Sequence, residues 1–352
     1  MSDRDATVEL VERVRDASER RVALRIVGGD TKRFLGREVA GEALDVAAHR
    51  GIVSYDPAEL VITARAGTPL AVVLSELAAH GQRLAFEPPA FGPAATIGGT
   101  VACGLGGPAR AFAGPLRDYV LGVRVLTGDG RVLRFGGEVM KNVAGYDVAR
   151  TMAGAFGTLG VLLDVSFKVL PAPPAARTLA LALDAPAALV ELERLARTAL
   201  PLTASAWTAG NLFLRFEGSP RTLDEVQARI GGDVVADAAA PWFAIREHAH
   251  PFFVGDAPLW RLHLPADAPP DLLPVEPLIE WNGTQRWCAL ESDSVFATAR
   301  DAGGYATLFR SPGPRDAVFA EPSAPLRRLH GALKRIFDPA GILNPGRMYP
   351  DL

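Results

Sequence analysis

Cysteine is almost missing from these 352 residues: Cys103 and Cys288 are the only two. An iron–sulfur cluster takes about four thiolates and a thiolate zinc site about two to four, so this chain cannot carry a conventional cluster by itself. A surplus of either charge is missing too. Lysine and arginine total 37 against 40 aspartates and glutamates, a net −3, which leaves no basic field for nucleic acid and no polybasic membrane anchor. No apolar run of about 18 residues occurs. The opening Met1-Ser2-Asp3-Arg4-Asp5 leads into an amphipathic helix rather than an apolar signal core. The expected location is cytoplasmic, with any contact to the inner membrane made through partners.

What the chain does have is glycine, concentrated between Pro88 and Leu163. There stand Thr96-Ile97-Gly98-Gly99-Thr100, Gly104-Leu105-Gly106-Gly107-Pro108, Arg117-Asp118, Lys141-Asn142-Val143-Ala144-Gly145-Tyr146-Asp147 and Gly157-Thr158-Leu159-Gly160-Val161. Glycines this dense let the backbone take φ > 0 and approach a bulky partner, so that main-chain N–H groups can point at phosphate oxygens. A long anionic cofactor is the natural guest. Upstream, Val27-Gly28-Gly29-Asp30-Thr31-Lys32 follows a strand candidate. Asp30 can cap the turn there and leave the Thr31 and Lys32 amides to an anion, although a plain strand-to-helix turn would read the same way.

In these motifs the chain resembles the FAD-binding domain of the vanillyl-alcohol oxidase / p-cresol methylhydroxylase (PCMH) flavoproteins. Within that superfamily their wording, with that of the tail Asp338-Pro339-Ala340-Gly341-Ile342-Leu343-Asn344-Pro345-Gly346, is most similar to the FAD-binding E subunits of bacterial glycolate oxidases. The resemblance implies FAD held at Gly28, Gly29, Asp30, Thr31, Lys32, at a loop against the pyrophosphate over Thr96 to Thr100 (Thr96, Ile97, Gly98, Gly99, Thr100), at Gly104 and Gly106, and at Gly157, Thr158, Gly160 and Val161. Asp30 stands where the family usually has a third glycine, and its carboxylate must point away from a pyrophosphate. Lys141 would offer an ammonium to an anionic group, and Tyr146 would pack on the flavin. Arg117-Asp118 would support the cofactor loop, or form a surface ion pair of little energy. Gly98→Val is expected to give folded, colourless protein.

A competing motif fails on physical grounds. Gly104, Gly106 and Ala109 satisfy G-x-G-x-x-G/A, with Asp129 at a ribose-like distance. Pro108 and Pro115 prevent a regular helix from opening there, and Thr127-Gly128-Asp129-Gly130 reads as a hairpin turn between 120–126 and 131–135.

Periodicity organises the rest. Val8, Val11, Val14 and Ala17 mark a surface helix over about 6–20, and 22–27, 44–46, 51–55 and 60–64 read as short strands. Thr68-Pro69 opens a helix to Ala79, with Thr68 as N-cap and Gly81 as stop. Pro171, Pro173 and Pro174 form a linker, beyond which a β-α-β-β-α-β pattern runs twice, its second pass with a shortened helix at 270–273. The pattern is α+β, with a cap of ferredoxin-like units over 172–325, and the resemblance implies a two-lobed PCMH-type FAD domain over 1–171 (lobes 1–58 and 59–171) and a segment 326–352 returning to it.

Flavin would supply the redox chemistry. An oxidase of 2-hydroxy acids also needs a cation for the substrate carboxylate and a base for its hydroxyl, yet the H-x-G-D-G-N element of related catalytic subunits is missing. Arg246, His248 and His250 form the one candidate set; a metal held by the two histidines or a structural contact are the alternatives, and no metal is expected. With no histidine where related enzymes bond flavin covalently, FAD is expected to be noncovalent. Three readings follow from the resemblance. The chain is a catalytic flavin subunit oxidising glycolate, a small 2-hydroxy acid, with a sister FAD-binding subunit and an iron–sulfur subunit; or it keeps FAD for assembly or electron relay; or it is a stand-alone flavin enzyme with another substrate.

Overall fold

The computed structural model describes residues 3–138, 146–313 and 315–352. The chain divides into two compact units: Met1–Leu105, Pro115–Pro171 and Glu321–Leu352 make the first, Gly106–Gly114 and Ala172–Ala320 the second. The short Gly106–Gly114 stretch thus groups with the second unit, although sequence alone assigns it to the cofactor domain.

In the first unit five antiparallel strands lie in the order Ile52–Asp56, Val61–Arg65, Val161–Lys168, Val120–Leu126 and Val132–Gly136. Val161–Lys168 is central and covered on both faces, which is why it reads as an almost unbroken apolar run. Ile52–Asp56 and Val61–Arg65 form a hairpin, so a lobe division at 58/59 falls inside it. A separate parallel pair joins Leu24–Val27 to Glu42–Asp45, and Leu343 from the tail bridges Leu24 in parallel. The helix Thr7–Arg20 buries Leu10, Val14 and Ala17 against Leu24, Leu44, Leu163 and Leu343. Val8, expected in that stripe, is 69% exposed; Leu10 takes its place.

Two helix starts differ from the sequence reading. The second helix begins at Leu70, with Pro69 as N-cap, because the Thr68 hydroxyl is used elsewhere: it donates to the Gly51 carbonyl and accepts from the Gly51 amide. Thr96–Thr100, expected as a loop, opens a helix over Ile97–Cys103. The 127–130 turn is as expected, with Asp129 held by Thr127 and Arg131, which removes it as a ribose contact.

The second unit is an eight-stranded sheet in the order Asp233–Val234, Ala175–Ala182, Asn211–Gly218, Leu202–Thr208, Leu278–Glu280, Gln285–Ala289, Leu259–His263, Tyr305–Arg310. The first four strands and the last four are two ferredoxin-like passes joined through Leu202–Thr208 and Leu278–Glu280, where Trp207 faces Ile279. The helices Ala185–Ala196 and Pro220–Ile230 pack on the first pass and Val295–Asp301 on the second. The shortened helix expected at 270–273 is absent, since Pro269, Pro270 and Pro274 deny its amides and bias their neighbours away from α geometry.

Candidate cofactor site

The strand Leu24–Val27 runs into Gly28-Gly29, and the chain then turns at Asp30 with φ 54°. That left-handed conformation suits glycine and is tolerated by aspartate, which explains how aspartate replaces the family's glycine. The Asp30 carboxylate lies 3.5 Å from Arg25. Among the described residues no hydrogen bond uses the N–H groups of Gly28, Gly29, Asp30 or Thr31. Four consecutive unspent amides are a ready donor set for an anion.

Across from Gly28 stands Thr96, whose Oγ1 would lie 2.5 Å from a Cβ added at Gly28. Thr96 caps its helix by accepting from Gly99 N at 3.3 Å. Ile97 N donates to Thr68 O and Gly98 N to Ala66 O. The amides that sequence reasoning offered to phosphate at this motif are therefore already committed within the protein. Gly98 is sealed, since a Cβ there would be 2.8 Å from Ala66 Cβ, whereas Gly99 would meet only Thr96 Oγ1 at 3.3 Å. Ile97 and Thr100 are buried in the same helix, and Gly104 ends it with φ 63°.

These two turns border a cavity of about 140 Å³. Gly28, Gly29, Asp30, Thr31, Lys32, Thr96, Gly98, Gly99, Gly157 and Gly160 all line it. Thr158, whose hydroxyl donates to Ala155 O, and Val161 are buried and are not part of the lining. Arg25, Lys32, Arg33 and Arg347 bring four positive charges to the lining against Asp30 and Glu38, a balance that favours an anionic guest. Ile26, Met152, Phe156 and Leu162 supply its apolar wall.

Several lining residues were not assigned a role from sequence. Asn344, at φ 42°, accepts from Ile26 N at 2.8 Å and donates to Phe156 O at 2.7 Å, so the tail fastens two cavity walls. Arg347 holds the 33–37 turn through the Arg33, Leu35 and Arg37 carbonyls. The tail motif already contained Asn344, and Arg347 follows it directly; what sequence could not show was where they pointed. Cys103 also lines the cavity, and burial pushes its thiol above the usual range against the pull of Lys32 and Arg347, so it is a thiol and not a nucleophilic thiolate.

Other expected contributors are elsewhere. Arg117 and Asp118 are exposed, and Asp118 also approaches Arg150 at 3.7 Å. Tyr146 is 97% exposed, Gly106 belongs to the second unit, and Lys141 lies outside the described residues. In the second unit, Arg246 is 2.8 Å from Glu247. His248 stacks on Phe253 with centroids 3.9 Å apart, and burial, with Arg310 and Arg261, pushes its pKa down to about 3. His250 accepts from Phe252 N as a cap, and burial lowers its pKa as well. Each of the three side chains is thus engaged within the protein.

Residues 5–136 match the family described as FAD binding domain. The whole chain is similar to "Glycolate oxidase subunit GlcE" of Escherichia coli (strain K12), with 47% identity over 350 residues and 99% of both chains. The chain belongs to the glycolate oxidase GlcE family. Two further relatives match only part of the GlcE-type chain. "Glycolate oxidase subunit GlcD" of Bacillus subtilis (strain 168) is 34% identical over 36% of this chain and 27% of that one. "D-lactate dehydrogenase" of Anaerostipes hadrus is 33% identical over 38% and 28%. In fold, the chain is similar to alkyldihydroxyacetonephosphate synthase, with TM-score 0.64 over 96% of this chain and 74% of that one at 15% identity.

FAD is thus the cofactor of this domain. The lining fits its pyrophosphate chemically, through unspent amides, surplus cations and walls without Cβ atoms. Pockets for drug-sized ligands run to roughly 300–1,000 Å³, so the cavity encloses part of a dinucleotide. No helix among the described residues is long and apolar enough to cross a membrane.

Proposed function

We propose that this chain is the FAD-bearing E-type subunit of a multi-subunit glycolate oxidase. In the complex glycolate is oxidised to glyoxylate, its two electrons and two protons leaving through flavin. End-to-end similarity to the E. coli subunit carries the reading, and the cationic, amide-lined cavity supports it. FAD is held noncovalently by Gly28 to Lys32, Gly99 and the Gly157–Gly160 turn, with Thr96 and Asn344 positioning those walls. The partners are a GlcD-type sister flavoprotein and an iron–sulfur subunit, which supplies the thiolates this chain lacks. The complex is cytoplasmic, and reaches the inner membrane only through its partners.

A second reading, that the chain keeps FAD for assembly or relay while the sister subunit oxidises substrate, is favoured by His248, which is sealed against Phe253 and held neutral. The test is to purify the chain alone and with its sister subunits, measure bound flavin, and add glycolate without air. Bleaching of the lone chain supports catalysis here, bleaching of the complex only supports relay, and absence of flavin from both refutes the proposal.

A further inference from the structure

The helix Ala324–Phe337 is seated on the first unit by one end. Of its 14 residues only Lys334 and Phe337, near its C-terminus, are buried. A helix of about 12–15 residues is marginal in water without a packed face, and most of this one has none of its own. Leu326, Leu329 and Ile336 are 49%, 54% and 63% exposed, and Leu333 between them is half-buried. At about 100° per residue these four side chains form one seam, roughly 80° wide. A strict seam of this kind is how one helix packs along another, and it is narrower than the stripe a helix turns to a domain core. One rim of the seam is basic. Arg328 and Arg335, two turns apart and both exposed, make no hydrogen bond or ion pair among the described residues, whereas Arg327 is held by Glu321 and Asp351. No acidic residue lies between Ala324 and Phe337. Two copies pairing through the seam would therefore set cations against cations.

We infer that this seam is the docking face for an acidic amphipathic helix of a sister subunit. Apolar side chains of that helix pack between Leu326, Leu329, Leu333 and Ile336, and carboxylates along its flank meet Arg328 and Arg335. Burial of the seam supplies affinity, and the two arginines supply the choice of partner, since a basic or neutral helix leaves them unanswered. An anionic bilayer suits the surface less well, because Glu321 and Asp351 stand exposed beside the helix and present like charge. Such a partner presupposes the multi-subunit assembly proposed for this chain, and adds to it which surface holds the sister subunit and by what chemistry.

The test is surface plasmon resonance of the full chain against its purified sister subunits at low and high salt, with bound flavin measured in each sample. Leu329→Glu should weaken binding at least about thirtyfold. Reversing both Arg328 and Arg335 to glutamate should slow association at low salt at least about tenfold and remove most of its salt dependence. Val190→Glu, at an exposed apolar position on the helix Ala185–Ala196, should bind as wild type. If Leu329→Glu fails to fold by circular dichroism, Ile336→Glu carries the comparison. Undiminished binding by the folded seam variants, or an equal loss in Val190→Glu, removes the seam and leaves the multi-subunit assembly standing; no binding by the wild type removes both. A dimer of the lone chain that Leu329→Glu splits would assign the seam to a second copy and overturn the inference. So would attachment to phosphatidylglycerol vesicles that Leu329→Glu abolishes while binding to the sister subunits is kept.

Discussion

Replacing Lys334 by methionine should loosen the cofactor unit at the tail. Lys334 is buried near the end of the helix Ala324–Phe337. Its ammonium donates to Thr158 O at 2.8 Å and Leu343 O at 2.7 Å, and lies 2.7 Å from Asp338 Oδ2. Asp338, 1% exposed, also accepts from Ile342 N and Leu343 N. Methionine fills the space but strands a buried carboxylate and two carbonyls; removing one partner of such a pair costs about 3–5 kcal/mol. Asp338→Asn should cost a similar amount, since the amide cannot accept from both backbone donors and the ammonium as the carboxylate does. The double variant should lose less than the sum, by about 2 kcal/mol, because no uncompensated charge remains. Urea titration followed by flavin release measures all three. Single losses under about 0.5 kcal/mol, the range of surface substitutions, or strict additivity, would refute the reasoning.

Three other outcomes follow from the same structure. Gly99→Val should fold and lose flavin, whereas Gly98→Val, contrary to the expectation from sequence, should be unstable by at least about 1–3 kcal/mol through overpacking on Ala66; flavin absorbance and thermal melts separate the two. Asn344→Ala should orphan the Ile26 amide and the Phe156 carbonyl and cost about 2–4 kcal/mol, visible as easier flavin release in urea. His248, neutral down to about pH 3 when folded but titrating near 6.5 when unfolded, makes the native state bind fewer protons below pH 6.5. Stability should therefore fall with acid, by about 2 kcal/mol between pH 7.5 and 5 from this group. His248→Phe should flatten that fall when tryptophan emission is followed, all five tryptophans lying within 207–287.

Motif wording located the cofactor unit because its signals are local. A double glycine after a strand and the Ile-Leu-Asn-Pro-Gly tail constrain their own backbones, and both border the cavity. The 96–100 segment was placed correctly in the chain but misread in conformation. Two glycines lower helix propensity, and the tertiary acceptors that hold this helix start, Thr68 O and Ala66 O, are invisible locally. Thr68 illustrates the same limit, its hydroxyl being captured by Gly51. In the second unit the alternation of strands and helices was legible because each pass buries one apolar stripe. The engagement of His248 was not, since a ring stacked on Phe253 and edge-on to Trp287 depends on pairings across the sheet.

The bond between Ile26 and Asn344 spans 318 positions. During synthesis at about 5–20 residues per second, the wall it closes waits, half built, while the whole intervening sheet emerges from the ribosome. Vitamin-derived pigment can then be captured only after Asn344 has been made, and a chain cut short before it would keep a sound sheet and hold no colour.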